Sequence, residues 1–105
     1  MMHCFGSDYN FARNCVERGA LLGIAGPVTY PSSKALRAVV AQIPLERLVL
    51  ETDCPYLAPQ ERRGKGDNEP ANIPLIAAKV AELKGLSVEE IAAATTAKAR
   101  GFYGI

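Results

Sequence analysis

The sequence predicts an α/β fold built from parallel strand–helix–strand units. Two observations carry that. The runs Ala20–Ala25 and Leu48–Leu50 are short and wholly apolar, without the in-out alternation of a sheet that has one wet face, so both read as strands covered on two sides. Around them lie stretches with apolar residues at helical spacing, which gives the order strand, helix, strand, helix, strand. A length of 105 residues suits one domain over residues 1–105.

Met1–Phe5 is short and apolar and reads as the stub of a first strand. Ser7 or Asp8 then caps a helix whose buried face is Phe11, Ala12, Cys15 and Val16, and Gly19 suits the left-handed residue after its end. In the second strand, Gly23 lets another backbone or side chain come close. Gly26-Pro27 opens a loop, and Ser32-Ser33 caps a helix that buries Leu36, Val39, Val40 and Ile43. Pro44 stops that helix. Residues 54–71 form a loop of about eighteen residues, longer than an idle connection should be. Asn72 caps a third helix, with Pro74 in its first turn, Ile73, Ile76, Ala77, Val80 and Leu83 inward and Gly85 at its end. Ser87-Val88-Glu89-Glu90 is a capping box for a last helix through Ile91, Ala94, Thr95 and Ala99. Gly101–Ile105 reads as an apolar tail that docks on the body.

The totals exclude several classes. Apolar residues make up 49% and charged ones 22%, an ordinary globular balance. A net charge of +1 gives no global field for nucleic acid, so any phosphate binding must be local. No apolar run is long enough to span a membrane, and no signal pattern opens the chain. Cys4, Cys15 and Cys54 are an odd set without a C-x-x-C pair, which favours free thiols in a reducing cytoplasm over a disulfide frame.

The chemistry gathers at strand ends. Leu48–Leu50 runs out into Glu51-Thr52-Asp53, and Pro55 forbids a further ladder donor. Carboxylates at the C-terminal tip of a buried parallel strand stand where α/β proteins place ligand sites, or they are simply a polar strand exit. His3 is the only histidine and follows the first strand; it is either a metal-ligating imidazole or a hydrogen-bonded residue near a terminus. Glu51 shares Asp53's side of the strand, where an indirect or structural role suits it, such as accepting a hydrogen bond from a neighbouring strand or loop. Cys54 reads as a small apolar residue. Arg62, Arg63 and Lys65 stand among glycines, able to hold a phosphodiester or to form a solvated surface loop.

The run Val39-Val40-x-x-Ile43-Pro44-x-x-x-Leu48-Val49-Leu50-Glu51-Thr52-Asp53-x-Pro55 resembles the signature of the TatD-related deoxyribonucleases, metal-dependent hydrolases of the amidohydrolase superfamily. His3-Cys4-Phe5, Gly26-Pro27-Val28-Thr29, Arg63-Gly64-Lys65, Asn68-Glu69-Pro70-Ala71 and Thr95-Thr96 resemble further landmarks of that family, in its order. Three details depart from it: Gly6-Ser7 exchanges two small residues, Lys65–Asn68 carries one residue more, and Lys98 stands where asparagine is common.

The resemblance implies a partial TIM barrel: the last three parallel strands with their helices, a C-terminal fragment of a (β/α)8 metal-dependent hydrolase. It implies that His3 and Asp53 are metal ligands on the sixth and eighth strands and that Asp53 is also catalytic, taking a proton from the attacking water. It implies a divalent cation (zinc, magnesium or manganese), DNA as substrate and Arg62, Arg63 and Lys65 as substrate-binding residues. Family members open with a His-x-His pair, a glutamate and another histidine upstream of these motifs, and a chain with one histidine lacks them. The chain alone is therefore expected to be inactive, a truncation that joins the missing N-terminal barrel half or self-associates through its open sheet edge. The alternative is a non-catalytic, phosphate-binding or self-associating α/β domain.

Overall fold

Two three-residue strands, β1 (Leu22–Ile24) and β2 (Leu48–Leu50), lie side by side in parallel, with Leu22 opposite Leu48 and Ile24 opposite Leu50. They belong to a computed structural model that describes all 105 residues. Around them pack α1 (Tyr9–Glu17), α2 (Lys34–Gln42), α3 (Ile73–Lys84) and α4 (Val88–Tyr103), joined by short 3-10 turns at Gly26–Thr29, Leu45–Arg47, Gln60–Arg62 and Pro70–Asn72. The α/β alternation holds. β2 coincides with its expected span, because Pro44 and Pro55 fence a run of Leu-Val-Leu.

The expected first strand does not form. Met2 makes a single parallel bridge to Leu22, through Met2 N–H to the Leu21 carbonyl (2.8 Å) and Gly23 N–H to the Met2 carbonyl (2.9 Å). Cys4 at φ 47° then breaks the extended run, since an L residue there cannot continue a pleat. The chain still stays alongside β1, where Phe5 N–H donates to the Gly23 carbonyl at 2.9 Å. The sheet is thus two strands and a bridge, with Met2, β1 and β2 in lateral order.

Local signals set the helix ends. Asp8 caps α1, its Oδ1 accepting from Phe11 N–H at 2.9 Å, and Gly19 turns left-handed at φ 88°. Ser87 and Glu90 close the capping box of α4 in both directions. Two expected caps act otherwise. Ser33 precedes α2 without a side-chain cap bond, and Asn72 turns its amide to Asn68 Oδ1 (2.8 Å) instead of to the N-terminus of α3.

Leu22, Ile24, Leu48, Val39, Val40, Ile76, Val80 and Ile91 form the centre of the core, so α2, α3 and α4 bury the faces their periodicity marks. Burying each such side chain contributes about 1.5–3 kcal/mol. On α1 only Ala12 is fully buried; Phe11 stays 47% exposed, its ring 6.3 Å from that of Phe5. Residues 101–105 are not a docked tail. The helix carries through Gly101 to Tyr103, a cost of about 1 kcal/mol for the glycine, and leaves Phe102, Tyr103 and Ile105 exposed. No helix is long and apolar enough to cross a membrane, and all three cysteines are free thiols.

Candidate metal centre

Beyond Leu50 the chain stays paired for one more bond, from Glu51 N–H to the Ile24 carbonyl at 3.0 Å. Glu51 and Asp53 then leave the strand tip on one side, by the two-residue period. His3 comes to them from the segment on the far edge of β1, across Gly23, which has no side chain to stand between. His3 Nδ1 lies 2.6 Å from Glu51 Oε2, and His3 Nε2 lies 2.7 Å from Asp53 Oδ1. Cys4 N–H donates to the other oxygen of Glu51. The imidazole is exposed and both carboxylates are mostly covered, with side-chain exposures of 61%, 13% and 22% for His3, Glu51 and Asp53.

Electrostatics follow from that geometry. Its bond to Glu51, with the charge on that carboxylate, raises the His3 pKa above the ordinary imidazole value, and Asp53 adds to the effect. Burial pushes the Cys4 thiol up to about 11, helped by Asp53 and Glu51. Cys54 is exposed, its sulfur 2.7 Å from Thr52 Oγ1.

The donor types fit a divalent cation: an imidazole nitrogen and a carboxylate oxygen meet, and the second ring nitrogen is held by another carboxylate, the usual support of a metal-ligating histidine. The number is short. No group of three or more His, Cys, Asp or Glu side chains is arranged to hold a metal, because Glu51 is turned to Nδ1 and to Cys4 N–H. The chain offers two donors where a catalytic ion generally takes three from protein.

The three loop cations do not converge on this pair. Arg63 stacks over Tyr30, its Cζ 4.2 Å from the ring centre, and donates to Gln60 Oε1 at 3.2 Å. Arg62 and Lys65 are exposed, and none of the three joins a carboxylate. A cleft of about 250 Å³ runs beneath, lined by Tyr30, Pro55, Leu57, Ala58, Arg63, Gly64 and Gly66.

Asn68 anchors the long loop. Buried, it donates to the Tyr56 carbonyl (2.9 Å) and accepts from Glu69 N–H (2.9 Å) and the Asn72 amide. Sequence reasoning missed Tyr30, whose hydroxyl donates to the Ala58 carbonyl at 2.8 Å and whose face carries Arg63. Nothing local marks it, since its partners lie in a distant loop.

The model of the family described as TatD related DNase matches residues 1–104. An uncharacterized metal-dependent hydrolase of Bacillus subtilis, YabD, is 43% identical over 105 residues, all of this chain and 41% of its own length. A relative from Citrobacter rodentium named 3'-5' ssDNA/RNA exonuclease TatD is 38% identical across the whole chain, again 41% of that relative. The crystal structure of the TatD homologue YJJV from Escherichia coli superposes with a TM-score of 0.86 at 32% identity, covering 93% of this chain and 38% of that one. The chain thus spans about two-fifths of the length of the curated relatives it matches. With nearly every residue inside the family's pattern, this chain belongs to the TatD related DNase family.

Proposed function

We propose that residues 1–105 are the C-terminal part of an eight-stranded (β/α)8 barrel that hydrolyses phosphodiesters in single-stranded nucleic acid, with the Met2 bridge, β1 and β2 at the places of its last three strands. The reading is carried by one observation, the 2.7 Å approach of His3 Nε2 to Asp53 Oδ1 across β1. In it, His3 Nε2 and the Asp53 carboxylate hold a divalent cation (zinc, magnesium or manganese). Bound there, such a cation would make its water more acidic and so easier to deprotonate. Asp53 accepts the proton of the attacking water, as a carboxylate within hydrogen-bond reach can. Glu51 keeps the imidazole turned toward Asp53. Arg62, Arg63 and Lys65 hold substrate phosphates, with Arg63 oriented by Tyr30.

The exonuclease named among the relatives motivates a DNA or RNA substrate. Two donors are too few for the chemistry, so the 105-residue chain by itself is inactive and the remaining ligands come from the rest of the barrel. Two features favour that partner. The edge of β2 away from β1 is unpaired, and half-buried Leu50 opens into an apolar cleft of about 290 Å³ with Ile73, Ala77 and Val88.

The test is to purify the chain, titrate zinc, magnesium and manganese, and assay single-stranded DNA hydrolysis beside His3→Ala and Asp53→Ala. Weak cation binding lost in both variants, without hydrolysis, is expected. Binding unaffected by either substitution would overturn the metal centre, and hydrolysis by the chain alone would overturn its dependence on the rest of the barrel. Sedimentation that shows only monomer removes self-association through β2.

A further inference from the structure

Glu51 is more deeply covered than either member of the His3–Asp53 pair, yet it contributes no free oxygen to a ligand. Both its carboxylate oxygens are engaged: Oε2 faces His3 Nδ1 at 2.6 Å, and Oε1 accepts the Cys4 N–H. These two bonds grip the imidazole and its own following peptide at once. An imidazole that gives its Nδ1 proton to a carboxylate must present an unprotonated Nε2 whenever the ring is neutral. Nε2 is the atom that faces Asp53.

The space Glu51 occupies is also specified. A Cβ placed on Gly23 would fall 2.6 Å from Glu51 Oε1, 2.7 Å from its Cδ and 3.0 Å from Oε2. No side chain can stand at position 23 while the carboxylate is in place. Gly23 lies inside β1, buried and paired opposite Val49, where a glycine otherwise weakens a strand. The obstacle a Cβ would meet is the tip of one side chain and not backbone, so the glycine serves Glu51 and not the sheet.

We propose that Glu51 is a positioning residue seated on Gly23, which fixes the Nδ1–H tautomer of His3 and thereby aims Nε2 as the ligand atom. This rests on the metal centre proposed above, but its first readout needs no metal. His3 is the only imidazole among the 105 residues, so long-range proton–nitrogen NMR reports its tautomer without ambiguity. The comparison is the wild-type chain, Glu51→Ala and Gly23→Ala, each at a pH where the ring is neutral, followed by calorimetric titration with zinc.

The wild type is expected to carry its proton on Nδ1. Glu51→Ala removes the acceptor, and Gly23→Ala keeps the carboxylate in the chain but expels it from its seat. In both, the proton moves to Nε2, where Asp53 accepts it, and zinc affinity falls by about 10- to 100-fold, as for other supports of ligating histidines. A wild-type ring protonated on Nε2 overturns the inference, as does an unchanged tautomer in either folded variant. Should Glu51→Ala fail to fold, Gly23→Ala decides alone. A wild type with the Nδ1 proton that takes up no zinc would count against the metal centre and leave the Glu51–His3 geometry standing.

Discussion

Two sets of charged residues were candidates for chemistry, and the fold treats them oppositely. His3 and Glu51 are separated by 48 positions in sequence, yet they touch, with Asp53 on the ring's other nitrogen. Arg62, Arg63 and Lys65 are near-neighbours in sequence and do not converge. One is laid on Tyr30 and two face solvent. The difference lies in what holds each set. The first is fixed by parallel pairing to β1 from both sides, where position along a strand dictates position in space. The second hangs on a loop whose order comes from Asn68 and short turns.

The largest expected effect sharpens that contrast. Asp53→Ala should weaken zinc binding by more than about 100-fold, beyond what loss of a supporting group costs. The triple change Arg62→Ala, Arg63→Ala, Lys65→Ala should leave zinc affinity within about twofold. It should also reduce the salt slope of oligonucleotide binding by roughly one unit for each phosphate no longer neutralised. If the triple variant loses zinc as Asp53→Ala does, the loop and the strand tips form one site, and the contrast fails.

Next in size is a change where the two regions meet. A Cβ on Gly26, just beyond β1, would lie 2.1 Å from the Leu57 carbonyl oxygen and 3.2 Å from the Ala58 carbonyl carbon. Backbone cannot swing aside as the tip of Glu51 can. Gly26→Ala should therefore cost about 1–3 kcal/mol in urea unfolding and displace the loop, whereas Gly23→Ala should cost less stability and alter His3 instead. Equal losses at the two glycines would show that the carboxylate at Gly23 is held as rigidly as backbone.

How much of this was legible in the residues follows the same division. Asp8, Gly19, Gly85 and the Ser87–Glu90 box are local devices, each decided within one turn, and each performs as the sequence indicates. β2 was legible because prolines fence it. The first strand was not, because the left-handed turn at Cys4 has no signature in a non-glycine residue. Phe11 has helical spacing for burial but stays half-exposed beside Phe5. Asn72 is a capping type captured by a stronger partner, Asn68. Family resemblance nominated His3 and Asp53, and strand alternation added Glu51. That Glu51 takes Nδ1, and that Gly23 makes room for it, needed three segments in space at once.

Within the loop the cations should differ among themselves. Arg63→Ala removes a guanidinium from the Tyr30 face and should cost about 0.5–1 kcal/mol. Arg62→Ala and Lys65→Ala, with no partner to lose, should stay within about 0.5 kcal/mol of the parent. Thermal or urea unfolding of the three single variants separates them, and equal costs would mean that the Tyr30–Arg63 stack holds nothing.

The smallest effect concerns Lys84, a cation tied down by carbonyls instead of a ring. It donates to the Ile43 carbonyl and, at 3.4 Å, to that of Ala41. Burial lowers its pKa below the ordinary 10.5, with Glu46 opposing the shift. A lysine whose folded-state pKa is depressed binds fewer protons folded than unfolded between that lowered value and 10.5, so it makes stability rise with pH across that window. Cys4 and Tyr30, both raised chiefly by burial, act in the reverse sense: the fold holds their protons longer, and stability is lost as pH climbs past their unfolded values of 9.0 and 10.0. The parent's total slope therefore mixes signs, and only a difference isolates the lysine. Urea unfolding of the parent and of Lys84→Met across alkaline pH should show the parent gaining on the variant as pH approaches 10.5. A difference that is flat or declines would mean that the ammonium at the end of α2 is stabilised by its carbonyls more than burial penalises it.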